Sequence, residues 1–420
     1  MKSALPDLGS RSAAEWGIRI LLGAGIAWAG YCAVRHSAAD ALSDRVELAH
    51  RLAPGDARIT AKLAMDRIMA QADKASKVSA GNLSIIAEAE ELARSALRAD
   101  ATAVSAAAAL GVAADLRGDR GAARRWFTYA EQLSRRDLPT QLWLLEDTVA
   151  REDIGSALHH YDVALRTNRA ASDLLFPILA QASSDPAIAS ELVKKLALQP
   201  HWTAAFIWFV ATRTQDPESA TRLFVALRQA RVPIADTADT ALIDALLLNK
   251  KFDAAWKYYA ATRRGVDRRT SRDSNFTAAT ETPSMLDWVP AKSETGLAAT
   301  LQRGEKGGVF DFSAPSNTGG ELLRQMQLLP PGRYILDGRS SGIAQPEPSR
   351  PYWSLKCSGD GRELGKIDLP RSDSGELPFK GMFVVPSDCP AQFLVLTARA
   401  SEDLAGSTGQ ITQVQLRPAN

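Results

Sequence analysis

Three spacings of apolar residues follow one another along the chain, and each predicts a different kind of element. From Ile20 to Val34 no charged residue occurs, and back to Trp16 the run is interrupted only by Arg19. A helix over those residues rises about 28 Å, close to the hydrocarbon thickness of a bilayer, and Arg19 can extend its guanidinium to the interface. The pattern predicts a membrane-spanning anchor over 16–36, with residues 1–15 as a cytoplasmic tail. A cleaved signal is the rival, with A-x-A sites at Ala27-Trp28-Ala29 and Ala39-Asp40-Ala41; the first cuts the apolar run in half and the second lies past it. A buried soluble helix is the third reading. Tyr31 ahead of Cys32 argues against a lipoprotein.

From residue 40 to 264 the chain is alanine-rich with a helical period, and it repeats. Ala89, Ala93 and Ala96 recur as Ala123, Phe127, Ala130 and as Ala157, Tyr161, Ala164, each shifted by 34 residues. Ala220, Phe224 and Leu227 recur in the same way as Ala254, Tyr258 and Ala261, with a shorter, degenerate unit over Leu192 to Pro200 between the sets. Offsets of four and seven place each triplet on one helix face. In one unit Leu110-Gly111 stands twelve residues ahead of Ala123. This pattern resembles the tetratricopeptide repeat, in which a small, an aromatic and a small residue pack paired helices together. The closing proline departs from it, being Ala101, Arg135 and Arg169 in the first three units. The resemblance implies an all-α solenoid of about five or six repeats that binds a protein partner. The plainer alternative is a helical spacer. His159 and His160, adjacent on a helix, point about 100° apart and read as surface or core residues.

Beyond residue 264 the composition changes: 13 of the 21 prolines fall there. Arg263, Arg264, Arg268, Arg269 and Arg272 surround an expected linker over 265–273. They read either as a phosphate or anionic-polymer site or as a solvated helix end. Short apolar runs follow over 309–313, 325–329, 334–338, 352–357, 366–369, 382–385, 393–398 and 411–416, separated by Gly, Pro, Asp and Ser. They predict an all-β sandwich over 274–420.

The signals Asn275-Phe276, Asp287-Trp288, Pro331-Gly332-Arg333-Tyr334, Trp353 to Cys357, and Val385-Pro386 to Cys389 resemble galactose-binding-like and carbohydrate-binding-module sandwiches. The resemblance implies a jelly-roll topology for this sandwich and a link to bacterial surface polysaccharide. It makes Trp288 and Tyr352 the candidate glycan contacts, while strand parity puts Trp353, Leu355 and Cys357 on the opposite face from Tyr352. With Cys32 in the anchor, Cys357 and Cys389 are left as a disulfide pair; two buried free thiols are the alternative.

Composition narrows the function. Fifty basic and 48 acidic side chains leave a net charge of +2, which gives no nucleic-acid footprint. Three cysteines and five histidines do not supply a family of metal sites. No P-loop, nucleophile elbow, zinc helix or Rossmann glycine pattern falls on a suitable element. No catalytic, cofactor-binding or metal residue is therefore expected, although paired carboxylates among Asp311, Asp337 and Glu363 stay open as a glycosidase-like alternative. Lys2, Arg11 and Arg19 nearly balance Arg35, Arg45 and Arg51 across the anchor. The short leading tail and the cysteine pair favour a cytoplasmic N-terminus in the inner membrane and a periplasmic body. The combined expectation is a non-catalytic envelope adaptor in exopolysaccharide assembly or export. The alternatives are a glycan-binding protein with the solenoid as spacer and a carbohydrate-active enzyme.

Overall fold

The computed structural model describes residues 13–72, 80–263, 265–278, 281–291, 296–304, 307–402, 404 and 406–419. The chain forms two compact units, Met1–Leu175 and Phe176–Asn420. The division falls inside the helical region.

The first unit opens with α1 (Ala13–Ala41), whose segment Trp16–Ala41 is long and apolar enough to cross a membrane. Then come α2 (Val46–Leu52), α3 (Ala57–Ala72), α4 (Ala80–Ala99), α5 (Val104–Leu116), α6 (Arg120–Leu133), α7 (Leu138–Ala150) and α8 (Ile154–Thr167). Asp119, Asp137 and Asp153 cap α6, α7 and α8, each carboxylate accepting a free backbone N–H of the first turn. Ala89, Ala93, Ala96, Gly111, Ala123, Ala130, Ala157 and Ala164 are buried, together with Phe127 and Tyr161. A Cβ on Gly111 would stand 2.7 Å from the Phe127 ring, so glycine is what lets α5 and α6 approach. Phe127 in turn lies flat on Trp143 of α7, with 4.6 Å between centroids. Arg124 of α6 grips the buried Asp147 of α7 with two hydrogen bonds, 2.7 and 2.8 Å.

Helix α9 (Ala171–Ala182) leads into the second unit, which continues with α10 (Pro186–Ala197), α11 (Thr203–Arg213), α12 (Pro217–Gln229), α13 (Asp236–Leu248) and α14 (Phe252–Thr262). Even-numbered helices from α6 onward begin at Arg120, Ile154, Pro186, Pro217 and Phe252. The steps are thus 34, 32, 31 and 35 residues, and helix pairs persist while the strict register does not. Ala220, Phe224, Leu227 and Tyr258 are buried. In α14, however, Ala254 is only half-buried and Ala261 is exposed, whereas Ala255, Tyr258 and Tyr259 are buried. The buried face has turned because α14 meets the sandwich: the Tyr259 hydroxyl donates to Asp287 at 2.7 Å.

The strands are β1 (Val289–Pro290), β2 (Ala298–Gln302), β3 (Val309–Ala314), β4 (Gly320–Gln327), β5 (Gly332–Ser341), β6 (Tyr352–Cys357), β7 (Glu363–Asp368), β8 (Leu377–Val385), β9 (Gln392–Ala398) and β10 (Ser407–Pro418). They form two antiparallel sheets, ordered β1-β4-β9-β6-β7 and β2-β3-β10-β5-β8. Phe310, Phe312, Leu336, Ile411, Val414 and Leu416 of the second sheet share one core with Trp353, Leu355, Leu394 and Leu396 of the first. Cys357 and Cys389 are joined by a disulfide, with Cα atoms 5.7 Å apart.

Residues 265–273 connect α14 to the sandwich and pack against it. Ser271 donates its N–H to the Leu416 carbonyl and accepts the Leu416 N–H on its hydroxyl. Arg272, 4% exposed, donates to the Leu286 carbonyl, to Gln327 Oε1 at 2.9 Å and to the Met326 carbonyl. Burial pulls its pKa down to about 10, so the guanidinium is still charged at neutral pH. Arg268 donates to the Leu328 carbonyl and to Asp253. Neither arginine is a free anion site or a solvated helix end; the turn at Leu286 and the end of β4 present carbonyls that the forked Arg272 guanidinium satisfies together.

Candidate functional site on the β-sandwich

Alternation divides the second sheet into an apolar inner side and a polar outer side. Registers Thr300↔Asp311, Asp311↔Gln410, Gln413↔Arg339, Gln415↔Asp337 and Asp337↔Lys380 run a band of hydrogen-bonding side chains across all five strands. Gln410 Nε2 donates to Asp311 at 2.7 Å, and Arg417 Nε donates to Asp337 at 3.0 Å. The register of β10 shifts between Ile411 and Gln413. Thr412 lies at that shift and its hydroxyl donates to Glu376, which also accepts from Arg339 at 2.9 Å. The Thr412 hydroxyl, aided by Arg339, holds the Glu376 carboxyl below its usual range. Chemically, this face offers amides, carboxylates and guanidinia that are held in place by one another and open to solvent, a donor and acceptor array suited to a hydroxyl-rich ligand. At its edge β8 adds exposed Met382 and Val384.

The two aromatic residues singled out from sequence belong to the other sheet or to the core. Trp288 is 3% exposed, its ring 5.8 Å from both Phe276 and Trp353, and its Nε1–H donates to the Asp273 carbonyl at 3.0 Å. As a glycan platform it is ruled out, because both its apolar faces and its one polar atom are already used. Tyr352 does sit on the outer side of its sheet, half-buried, as parity required. Its ring lies 4.5 Å from the Arg399 guanidinium carbon and 5.1 Å from Lys366 Nζ, so cations already attend it. Trp353 is fully buried on the parity shared with Leu355 and Cys357.

Asp311, Asp337 and Glu363 are not brought together as a facing pair: they are bonded to Gln410, Arg417 and Lys366 respectively. His159 is exposed and His160 buried. His160 Nδ1 lies 3.0 Å from Gln141 Oε1, and burial lowers its pKa, with the charge of Glu131 opposing. Among the described residues no group of three or more His, Cys, Asp or Glu is placed to hold a metal ion. Sequence reading missed the Arg339, Glu376 and Thr412 cluster. Nothing in a single chain signals the register shift that aims Thr412 at Glu376.

No protein-family model matches this chain, and no curated protein matches it. Among solved structures it is similar to the enzymatically active domain of bacteriophage CBA120 tailspike protein 4, at 13% identity over 36% of this chain and TM-score 0.25. The match spans about a fifth of that protein, 22%. A CBM4 module matches at 10% identity and TM-score 0.27, covering 37% of this chain and all of the module. The CBM6cm-2 module of Cellvibrio mixtus lichenase 5A, in complex with cellotriose, matches at 11% identity and TM-score 0.21, covering 32% of this chain and 98% of the module. Likeness at this level bears on neither the family nor the ligand of this chain.

Proposed function

We propose that this protein is a non-catalytic, membrane-anchored adaptor of the bacterial envelope. In this reading its helix pairs are tetratricopeptide-like and dock a protein partner, its N-terminus is cytoplasmic, and its body stands on the periplasmic side of the inner membrane. The observation that carries the reading is the buried small and aromatic seam of Gly111, Ala123, Phe127 and Ala130, continued by Ala157, Tyr161 and Ala164. Such a seam spends its aromatic residues on stacking one helix pair on the next, leaving the outer helix faces for a partner. Glu146 and Val149 are exposed on α7 and available for that contact. A photo-crosslinking residue placed at position 146 or 149 in cells should join the protein to one envelope protein, while the same residue at Lys380 should not. Equal or no capture from all three positions would refute the adaptor reading.

A second reading is favoured by the polar outer side of the β2-β3-β10-β5-β8 sheet: the sandwich binds a surface polysaccharide and the helices serve as a spacer. Retardation of the protein in polysaccharide-loaded gels, abolished by Arg339→Ala, would support it. Unchanged mobility across a panel of bacterial exopolysaccharides would count against it.

A further inference from the structure

We propose that the corner between α1 and α2 is seated in the headgroup layer of the membrane, with Leu48 and Leu52 as its lipid contacts. The inference rests on the anchor reading above and goes further, because it gives the folded body a fixed contact with the bilayer.

The placement follows from where α1 first becomes covered. From Trp16 to Tyr31 every described side chain of α1 is exposed. Cover begins at Cys32 and Arg35, which are half-buried, and is complete at Ala39, three positions on one helix face. Ala39 packs against Ala49 of α2 and against Ala53 just after it, with Leu42 and Ile59 at the margin. From Trp16 to Arg35 the helix rises about 28 Å, so the covered face starts at the far boundary of a hydrocarbon layer about 30 Å thick. Trp28 and Tyr31 pack with tilted rings, 6.0 Å between centroids, in the last two turns before that level, and the Arg35 guanidinium lies 5.8 Å from the Tyr31 ring centroid. Aromatic and basic side chains gather at this depth in membrane helices. Arg35 Nε is buried and has no hydrogen-bond partner within the chain.

α2 is the element brought to that boundary. Val46 and Ala49 form its covered side, continued by Ala53. Its other side exposes Leu48 and Leu52, one helical turn apart and 45% and 37% accessible, with Arg45 and Arg51 beside them. Glu47 is turned toward Arg67. Two leucines on so short a helix, flanked by arginines whose stems can lie along acyl chains while their heads meet phosphate, suit an interfacial position.

The test uses the full-length chain carrying Cys32→Ser, with the Cys357–Cys389 disulfide left oxidised, in phosphatidylethanolamine and phosphatidylglycerol nanodiscs. Spin labels are placed singly at Ile26→Cys, Leu48→Cys, Leu52→Cys and Met69→Cys, and collision with oxygen is compared with collision with a water-soluble nickel chelate. Position 69 is a surface control on α3, 38% exposed. Labels at 48 and 52 should show an oxygen-to-nickel ratio several-fold above that at 69 and below that at 26. Ratios at 48 and 52 equal to that at 69, with 26 in lipid, would overturn the inference and leave the anchor standing. A water-like ratio at 26 would overturn the anchor reading and the inference with it.

Discussion

Replacing Gly111 by alanine puts a methyl group in place of a hydrogen at the tightest approach between α5 and α6. The new Cβ would lie 2.7, 2.8 and 2.9 Å from three carbons of the Phe127 ring. That ring is fully buried and rests on Trp143, so it has no direction in which to yield. Overpacking of this kind costs about 1–3 kcal/mol, against about 1 kcal/mol recovered from alanine's better helix propensity. Phe127→Ala alone should cost about 3–5 kcal/mol through the cavity it leaves. In that background the added methyl enters empty space, and Gly111→Ala should change sign and stabilise by about 1 kcal/mol. Native-state hydrogen exchange of amides in α5 to α7 reads these changes locally and avoids treating a multi-unit chain as two-state. A Gly111→Ala effect of equal size and sign in both backgrounds would refute the claim that contact with Phe127 is what requires glycine there.

Hydrogen bonds from Arg124 hold the Asp147 carboxyl below its usual range, so that pair should stabilise the fold above about pH 4 and cease to do so as pH falls through the lowered value. Asp147→Asn should cost about 1–3 kcal/mol at pH 7 and little at low pH, seen as converging exchange rates in α6 and α7. Asp244, which accepts the Met285 N–H, is pushed up to about 6 by burial, so the sign reverses: its protonated form favours the fold, and this contribution is lost as pH rises through about 6. Asp244→Asn should therefore match the parent at pH 4 and protect the 282–287 segment better at pH 8, by up to about 3 kcal/mol; a gain independent of pH would be evidence against it. Reducing the Cys357–Cys389 disulfide, which spans 32 residues, should destabilise the strands by about 3–4 kcal/mol and leave exchange in α5 to α8 unchanged.

Period and parity made most of the architecture legible. The alternation in Tyr352 to Cys357 fixed both the extent of β6 and the side on which Trp353 lies, since a residue and its second neighbour must share a face. β1 and β2 were missed for the same reason: β1 is two residues long, and Ala298–Gln302 has exposed and half-buried positions but no buried apolar one to set a phase. The seam around Phe127 was readable because helix pairs meet at fixed offsets. Ala254 and Ala261 departed from it because the neighbour of α14 is a sandwich, which a repeat pattern does not encode. Trp288 and Arg272 were illegible for a different reason. Each is positioned by partners distant in sequence, Trp353 for one and Gln327 for the other.

The way the helices pass into the strands sets where the protein can be cut and recombined. Thr240 bonds to the Thr282 carbonyl, Asp244 to the Met285 N–H and Tyr259 to Asp287, while Arg272 fills the space beneath. A graft that takes only residues 274–420 would strip the sandwich of its buried cation and leave the Leu286 and Met326 carbonyls and Gln327 facing a hole. A graft beginning before α13 would carry those partners along. The unit to move at this end of the chain is thus α13 and α14 together with the sandwich.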